Sequence, residues 1–315
     1  MRDDASRHQP RKSDRSAVPS FAPRPSPPRA PPADGAAPVI LIRTTSLDAE
    51  TVAFGQALGH ASGRPTAFLV DERKGPVSVA DSFGPVGKVS LTIGACRGLG
   101  LYCPPDFAWR CGDYGLYVAR HQHPDVEHFW MIESDVRFLG GDIAGFFDFF
   151  ARIEADLLAG QIQAATPDWY WSHHASARDC APFRCFFPVT RFSARALDVL
   201  LAKRVEHSRR LTRRLLWPND EAFVATTLHA AGLICRDFND FGRSFYDLKS
   251  FSFENVIDGH AFTAEAPELR MYHPVLFGEA YARKLERLNA PRNLDTPTKR
   301  RIRRVLSEIN RRTAW

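Results

Sequence analysis

The sequence predicts an α/β fold in which a central mixed, mostly parallel sheet is flanked by helices. Three observations support this prediction. Short, continuous apolar runs alternate with longer segments of helical periodicity. The first two apolar runs are separated by one helical segment, which is the order of a right-handed parallel crossover. The alternation is regular in the first half of the chain and becomes mixed afterwards, as expected for a single Rossmann-like domain.

The first half of the chain contains the elements with the strongest patterns. VILIRTT at 39–45 and TAFLVDE at 66–72 are read as buried strands, with a helix over 47–61 between them. A loop over 75–87 and a short strand at 89–93 follow. A helix over 112–121 then leads into HFWMIES at 128–134, the most apolar strand of the chain.

Helices and strands alternate less regularly in the second half. Asp142 can cap a helix, and Ser193 can cap a second, long helix. A third helix is expected to open at Pro218 and Asn219 and to stop at Gly232. The remaining strands are expected at 161–166, 184–190 and 233–238. The buried stripe of the first of these helices is expected to comprise Ile143, Phe146, Phe147, Phe150, Ile153 and Leu157.

Composition and charge divide the chain into three parts. Residues 1–37 are rich in Pro, Arg, Ser and Ala, and we expect them to be disordered because they can bury little apolar surface. Residues 283–315 form a basic tail that carries eleven Lys or Arg against three Asp or Glu. The part between them, 38–282, is mildly acidic, with 24 basic against 29 acidic residues. An acidic folded body argues against nucleic acid as a partner.

The cysteine spacing and the absence of a long apolar run bear on location. The six cysteines form no C-x-x-C pair, so reduced thiols in a cytoplasmic protein are expected. No apolar run approaches the roughly 18 residues that span a membrane, and the N-terminus has no hydrophobic signal region.

The segment HFWMIESDVRFLGG at 128–141 carries the most informative chemistry. Side chains two positions apart in an extended segment point the same way, so Glu133 and Asp135 can converge on one cation. Ligands bind at the carboxyl ends of strands in open α/β sheets. Oxygen ligands favour Mg²⁺ or Mn²⁺ over zinc. The alternative is a strand end at which these carboxylates cap a turn or pair with Arg137.

This segment resembles the D-x-D region of GT-A glycosyltransferases, in which an apolar strand runs into an acidic triplet. Three further motifs follow the order of that family: WRCGDYGLY at 109–117, WPNDEAFV at 217–224 and MYHPV at 271–275. The resemblance covers roughly residues 38–280. It departs from the family pattern at Glu133, where the family has Asp. A longer side chain at this position can leave only Asp135 as a direct ligand.

The resemblance implies roles for residues at each motif. Asp220, or next to it Glu221, would be the catalytic base that accepts the proton of the acceptor hydroxyl. His273 would complete the metal shell, and Asp113 would contact the nucleotide. The alternatives are structural. The helix dipole favours Asp220 and Glu221 at a helix start, Asp113 caps a helix, and His273 is a surface imidazole.

Other candidate contacts come from the residues themselves. Arg120 and Arg137 are candidate phosphate partners, although lone arginines are more often solvated. Trp169 and Trp171 belong to an aromatic cluster that can stack on the apolar faces of a sugar or form part of the core. A zinc site built from His173, His174, Cys180 and Cys185 fits no common ligand spacing.

The basic tail offers one further partner. Ile302, Val305, Leu306 and Ile309 fall at helical spacing among many arginines. Such a helix suits an anionic membrane surface, which would place the protein at the inner face of the membrane, or a protein partner. A solvated helix that docks on the domain is the alternative.

Taken with the resemblance, these residues predict a metal-dependent glycosyltransferase. It would transfer a sugar from a nucleotide diphosphate sugar, with UDP as the commonest nucleotide in such folds, to a hydroxyl of a glycan or lipid-linked acceptor. Mn²⁺ or Mg²⁺ would be the cofactor. The alternatives are a glycan- or partner-binding protein on a degenerate transferase fold and a metal-dependent phosphoesterase. The phosphoesterase has the weaker case, because few acidic and His residues lie near 133–135 to assemble two metal ions.

Overall fold

A computed structural model describes residues 39–80, 87–174, 180–261 and 268–290, together with residues 301, 302, 305 and 308. The expected disorder of residues 1–37 lies outside the described residues, and so does most of the basic tail. The proposed domain boundaries at residues 37 and 283 therefore stay predictions.

The strands in chain order are β1 (Val39–Thr44), β2 (Thr66–Asp71), β3 (Lys88–Leu91), β4 (His128–Glu133), β5 (Arg137–Leu139), β6 (Leu157–Ala164), β7 (Phe183–Ser193), β8 (Cys235–Asp237), β9 (Ile257–Asp258), β10 (Arg270–Tyr272) and β11 (Val275–Leu276). The α-helices are α1 (Ala49–Ser62), α2 (Ile93–Gly98), α3 (Phe107–Arg110), α4 (Asp113–Gln122), α5 (Ile143–Ala151), α6 (Ala194–Ser208), α7 (Leu211–Leu215), α8 (Asp220–Ala230) and α9 (Gly278–Asn289).

Seven of these strands form the central sheet, in the order β3-β2-β1-β4-β7-β6-β8. The four strands from β3 to β4 are parallel, and β6 and β8 are parallel to each other. β7 runs antiparallel to both of its neighbours. The predicted α/β class, with a mixed and mostly parallel sheet between helices, is confirmed.

The sheet is buried on both faces, which explains why β1 and β4 read as continuous apolar runs rather than alternating ones. Phe129 and Met131 of β4 belong to one core, which α4, α6 and α8 cover. Trp130 and Ile132 belong to the other, which α1 and α5 cover. Side chains of successive residues point to opposite faces, so a single strand supplies both cores.

The predicted phenylalanine stripe is buried where α5 packs on β4. The rings of Trp130 and Phe147 lie edge to face with centroids 4.8 Å apart, and Phe146 and Phe150 also contact Trp130. The helix ends at Ala151, earlier than the stripe predicts, and Leu157 lies in β6 instead. Ser193 and Asn219 cap α6 and α8 as expected, whereas the Asp142 side chain makes no capping hydrogen bond.

The C-terminal part of the described chain returns to the edge at which β4 ends. β10 pairs antiparallel with β5, with Tyr272 opposite Arg137. The backbone N–H of Val275 then donates to the Asp135 carbonyl at 2.8 Å. Sequence patterns did not predict this pairing, because both strands have only three residues. It brings residues 270–276 beside the acidic segment.

Among the described residues, no helix combines the length and apolar character needed to span a bilayer.

Candidate active site

An open cleft of about 330 Å³ lies at the carboxyl ends of the parallel strands. The strand ends supply Thr44 from β1, Asp71 from β2 and Glu133 from β4, and Asp135 follows directly after β4. Leu276, from the C-terminal part of the chain, also lines the cleft. The cleft therefore occupies the edge at which ligands bind in open α/β sheets.

Three potential metal ligands converge beside this cleft. The ligand atoms of Glu133, Asp135 and His273 all lie within 4.8 Å of one another. Nε2 of His273 lies 3.3 Å from Oε2 of Glu133 and 3.4 Å from Oδ1 of Asp135. One imidazole nitrogen thus faces both carboxylates, and a positive charge on the ring offsets the repulsion between them.

Backbone pairing and aromatic packing hold the His273 ring in this position. The His273 N–H donates to the Ser250 carbonyl, and its own carbonyl accepts from the Ser252 N–H. The imidazole also packs edge-on against Phe186 and Phe251, with centroid separations of 5.3 and 6.0 Å. A ring that is fixed in this way loses little conformational freedom when it binds a ligand.

The carboxylates change the ionisation of His273. Burial alone lowers the pKa of the imidazole, but the charges and hydrogen bonds of Asp135 and Glu133 outweigh this effect and raise the pKa to about 9. Burial tends to raise the pKa of Asp135, and the facing His273 together with Lys284 lowers it below its usual value. At neutral pH the cluster is therefore an imidazolium between carboxylates, a cation in the place where a metal ion would bind.

The chemistry of the donor set fits a divalent cation. Oε2 of Glu133 and Oδ1 of Asp135 face the same point as the imidazole nitrogen, and two oxygens with one nitrogen suit Mn²⁺. The other ring nitrogen of His273, Nδ1, is buried and has no hydrogen-bond partner among the described residues. When Nε2 binds a cation, the proton of the neutral ring has to lie on Nδ1.

Arg43 is a central residue of the site that the sequence did not reveal. Its Nη1 donates to Oε1 of Glu133 at 2.7 Å, and its Nη2 donates to the Ala108 carbonyl. Burial raises the pKa of Asp220, and the guanidinium of Arg43 opposes this rise. Arg43 thus links Glu133 to Asp220. Its position at the carboxyl end of β1 was the signal that could have found it, because that edge of the sheet holds the cleft.

The two acidic residues at the start of α8 lie in different surroundings. Oδ2 of Asp220 accepts from the Gly112 N–H at 2.7 Å, and Oδ1 accepts from the Glu221 N–H at 2.9 Å. Burial, opposed by Arg43, raises the pKa of Asp220 to about 7. Glu221 is less enclosed, with Oε2 accepting from the Asn219 amide at 3.2 Å. Burial, together with the charges of Asp220 and Glu133, raises its pKa to about 8.

The expectation that Asp113 contacts a nucleotide is corrected by its burial. Asp113 and Arg204 are both 0% exposed, and Nε of Arg204 donates to Oδ2 of Asp113 at 2.8 Å. The Tyr117 hydroxyl donates to the same oxygen, and Nη2 of Arg204 donates to the other. Asp113 therefore anchors α4 to α6 inside the core, where no ligand can reach it.

Arg120 and Arg137, the two candidate phosphate partners, are also engaged elsewhere. Arg120 pairs with Asp198 and donates to the Pro124 carbonyl. It lies in the last turn of α4, just before β4 begins, and therefore at the opposite edge of the sheet from the cleft. Arg137 lies beside the cluster, but it is bound to Glu50 and to the Ser134 and Val136 carbonyls. The geometry removes Arg120 from the site and gives Arg137 a role in holding the loop after β4.

The aromatic cluster lies near one wall of the cleft. Trp109 lines the cleft and is 67% exposed. Its ring lies 6.2 Å from that of Trp171, and the guanidinium of Arg110 lies 5.4 Å from the Trp171 ring. The carbonyl of Trp169 accepts from the Ser172 hydroxyl in the turn that carries Trp171. Trp171 therefore lies at the rim of the cleft, beside the ring of Trp109. In the described part of the chain, the Trp169 ring makes no contact with the cleft.

Comparisons with known proteins give a likeness of fold. No family model matches the chain, and no curated protein matches it. A glycosyltransferase involved in glycosylation of the major capsid of PBCV-1 matches with 10% identity and a TM-score of 0.39, over 80% of this chain and 98% of that one. Core-mannan synthase A of Aspergillus fumigatus, in a Mn/GDP form, matches with 11% identity and a TM-score of 0.39, over 71% and 82% of the two chains.

A transferase of another kind is also similar. The inositol-1-phosphate CTP transferase of T. maritima matches with 9% identity and a TM-score of 0.36, over 65% of this chain and 86% of that one. The similar solved structures thus include glycosyltransferases, the class that the sequence motifs resemble, and nucleotidyltransferases. Because the identities and TM-scores are this low, the function has to be argued from the residues of the cleft.

Proposed function

We propose that this protein is a metal-dependent glycosyltransferase that transfers a sugar from a nucleotide diphosphate sugar to a hydroxyl of a glycan or lipid-linked acceptor. The observation that carries the proposal is the convergence of Glu133, Asp135 and His273 at the edge of a cleft formed by the carboxyl ends of parallel strands. Two carboxylates and one imidazole around a shared point can bind a divalent cation. The bound cation can in turn bind an anionic ligand.

Glu133, Asp135 and His273 would hold Mn²⁺ or Mg²⁺. When bound, such an ion neutralises the charge that develops on the diphosphate leaving group. The residues of the chain orient the donor. Arg43 fixes one oxygen of Glu133, so that its other oxygen stays directed toward His273. Lys284 of α9, whose charge acts on Asp135, is a candidate contact for the diphosphate.

A base is needed if the acceptor hydroxyl attacks the sugar in line. The resemblance favours Asp220 for this role, but both of its oxygens accept backbone hydrogen bonds. Glu221 has one oxygen engaged, a more open position and a pKa near 8. A base works best when its pKa lies near the operating pH, so we prefer Glu221 as the base and give Asp220 the role of holding Gly112 and the start of α8.

The rim formed by Trp109 and Trp171 is a candidate acceptor surface. An exposed indole offers a flat apolar face, and the apolar faces of sugars stack on such rings. The exposure of Trp109 beside the cleft supports this role better than a core role, because large aromatic side chains usually bury most of their surface.

The proposal is tested by incubating the purified protein with UDP-sugars and GDP-sugars, with and without Mn²⁺ or Mg²⁺, and measuring nucleoside diphosphate release. We expect release that requires the metal and falls at least about 100-fold in Asp135→Asn. Asp125→Asn, at an exposed position outside the cleft, is the matched control and should keep full activity.

Two results would replace the proposal. Hydrolysis of simple phosphate esters with no turnover of nucleotide sugars would identify a phosphoesterase. Absence of turnover and of thermal stabilisation with every donor, in the presence of Mn²⁺, would leave a binding protein on a transferase-like fold.

A further inference from the structure

A second cavity lies outside the cleft, between the loop after α2 and the short helix α7. Its volume is about 440 Å³, and it is open to solvent. The residues that line it are Arg97, Gly100, Leu101, Tyr102, Cys103, Ser208, Arg209 and Arg214. Three of these eight residues are arginines and none is acidic. The cavity is therefore strongly positive in a chain whose central part is mildly acidic.

Two of the three guanidinium groups have no partner among the described residues. Arg97 and Arg209 are exposed, and neither makes an ion pair or a side-chain hydrogen bond within that part of the chain. Arg214 is held in place, with Nε donating to the Ser208 carbonyl at 2.8 Å and its guanidinium 4.9 Å from the Tyr102 ring. Like charges that share a cavity repel one another, and an oxyanion between them relieves the repulsion and receives several donors.

The helix beside this cavity presents apolar side chains to solvent. Leu211 and Leu215 of α7 are 75% and 69% exposed, and their spacing of four residues places them on one face. Leu216 and Arg213, on the same segment, are buried and attach it to the domain. Exposed leucines cost free energy in water, and arginines next to them are typical of segments that lie in the interface of an anionic membrane.

We propose that this basic cavity binds the phosphate of an anionic lipid headgroup while Leu211 and Leu215 enter the apolar margin of the bilayer. Charge complementarity between the arginines and an anionic lipid favours this ligand over others. A purely apolar partner would leave Arg97 and Arg209 uncompensated, whereas an anionic lipid surface supplies both the negative charge and the apolar layer.

The position of the cavity relates it to the cleft. β7 runs antiparallel to β4, with Ser193 opposite His128, so α6 starts at the edge of the sheet opposite the cleft. Its 15 residues span roughly 22 Å, which brings Ser208 to the edge that holds the cleft. Membrane binding would then turn that edge toward the lipid. The inference concerns binding alone and stands whether or not the protein transfers sugars.

The test is the association of the full-length protein with vesicles, measured by co-sedimentation. We expect binding to vesicles of phosphatidylcholine mixed with phosphatidylglycerol and little binding to phosphatidylcholine alone. The double variant Arg97→Gln, Arg209→Gln should bind about 30-fold more weakly, since each basic residue near an anionic surface contributes about fivefold. Leu211→Ser and Leu215→Ser should each reduce binding severalfold.

Matched controls remove the same charge and the same apolar surface elsewhere. Arg152→Gln, Arg243→Gln removes two exposed arginines, and Leu248→Ser removes a leucine that is 66% exposed. Both controls should bind as the wild type does. Circular dichroism verifies that every variant is folded.

Three outcomes would overturn the proposal. Equal binding to neutral and anionic vesicles would show that the arginines do not contribute to membrane binding. Cavity variants that bind like the controls would place the membrane contact elsewhere, for example in the basic tail. Calorimetric binding of inorganic phosphate that is lost in Arg97→Gln, Arg209→Gln, with no vesicle association of the wild type, would identify a site for a free phosphate.

Discussion

The imidazole of His273 faces the carboxylate of Asp135, with Nε2 3.4 Å from Oδ1, although the two residues come from distant parts of the chain. The pairing of β10 with β5 and the hydrogen bond from Val275 to Asp135 bring them together. Since Glu133 meets the same nitrogen, the proton on His273 occupies the position that a divalent ion would take. A cation and this proton therefore compete for the same carboxylates.

Gly112 should be sensitive to the addition of a single methyl group. A Cβ at this position would lie 2.6 Å from Nη1 of Arg43 and 2.6 Å from Oδ2 of Asp220. Since φ is −58°, the backbone itself accepts alanine, and the effect has to come from displacing these two side chains. We expect Gly112→Ala to lower the free energy of unfolding by about 1–3 kcal/mol and to impair donor turnover.

Gly98→Ala is the matched control for Gly112→Ala, because a Cβ there meets no atom within 4 Å. Denaturant unfolding and donor turnover are measured for both variants. Equal behaviour of the two would show that the close packing of Arg43 and Asp220 against Gly112 is unimportant.

Glu221→Gln separates catalysis from donor binding. The amide keeps the size of the side chain and cannot accept a proton, so turnover should fall about 10²- to 10⁴-fold. The affinity for the donor, measured by thermal stabilisation in the presence of Mn²⁺, should be nearly unchanged. A variant with full turnover would exclude Glu221 as the base.

Asp113→Ala should act on stability and leave the cleft unchanged. Removing Asp113 leaves the guanidinium of Arg204 buried, 3.8 Å from the Phe223 ring, with no carboxylate partner. We expect a loss of about 3–5 kcal/mol in the free energy of unfolding, measured with denaturant. The donor affinity of the folded fraction should match that of the wild type. A selective loss of donor affinity without loss of stability would show that Asp113 contributes to donor binding after all.

The Glu72 carboxylate should make the stability of the fold depend on pH in the acidic range. Hydrogen bonds from Lys88 and Ser90 and the Val77 N–H lower the pKa of Glu72 from 4.5 to about 2, opposed by burial. Since the folded state holds the proton less tightly, the stabilisation is complete above pH 4.5 and is lost as the pH falls toward 2.

The variant Glu72→Gln should therefore be less stable than the wild type at pH 7, and the difference should shrink below pH 4.5. Thermal unfolding over this range measures it. A difference that is constant with pH would mean that the interactions of Glu72 do not depend on its charge.

Sequence patterns predicted the structure best where interactions between residues close in sequence determine it. The apolar run before Glu133 required a buried strand, and the spacing of Phe146, Phe147 and Phe150 required a helix with one buried face. The caps Ser193 and Asn219 act through their own neighbouring N–H groups, so they could be read from the chain.

Long-range partners could not be read in this way. Asp113 has the same sequence context whether it faces a ligand or a buried arginine, and its partner Arg204 lies in α6, well beyond the local sequence. The position of Arg43 at the end of β1 indicates the edge of the sheet that holds the cleft, but its partner Glu133 comes from the neighbouring β4 and has no local signal. The solvent exposure of Leu211 and Leu215 depends on how α7 packs on α6, which the local sequence does not determine.

Calorimetric titration of Mn²⁺ into the protein, in the presence and absence of UDP or GDP, tests the shared cation site most directly. The wild type should bind one Mn²⁺ and bind the nucleotide more tightly when the metal is present. Asp135→Asn and His273→Gln should weaken Mn²⁺ binding at least about tenfold, whereas Asp125→Asn should not change it. Wild-type protein that binds neither Mn²⁺ nor a nucleoside diphosphate, or variants that bind both as well as the wild type does, would contradict the account.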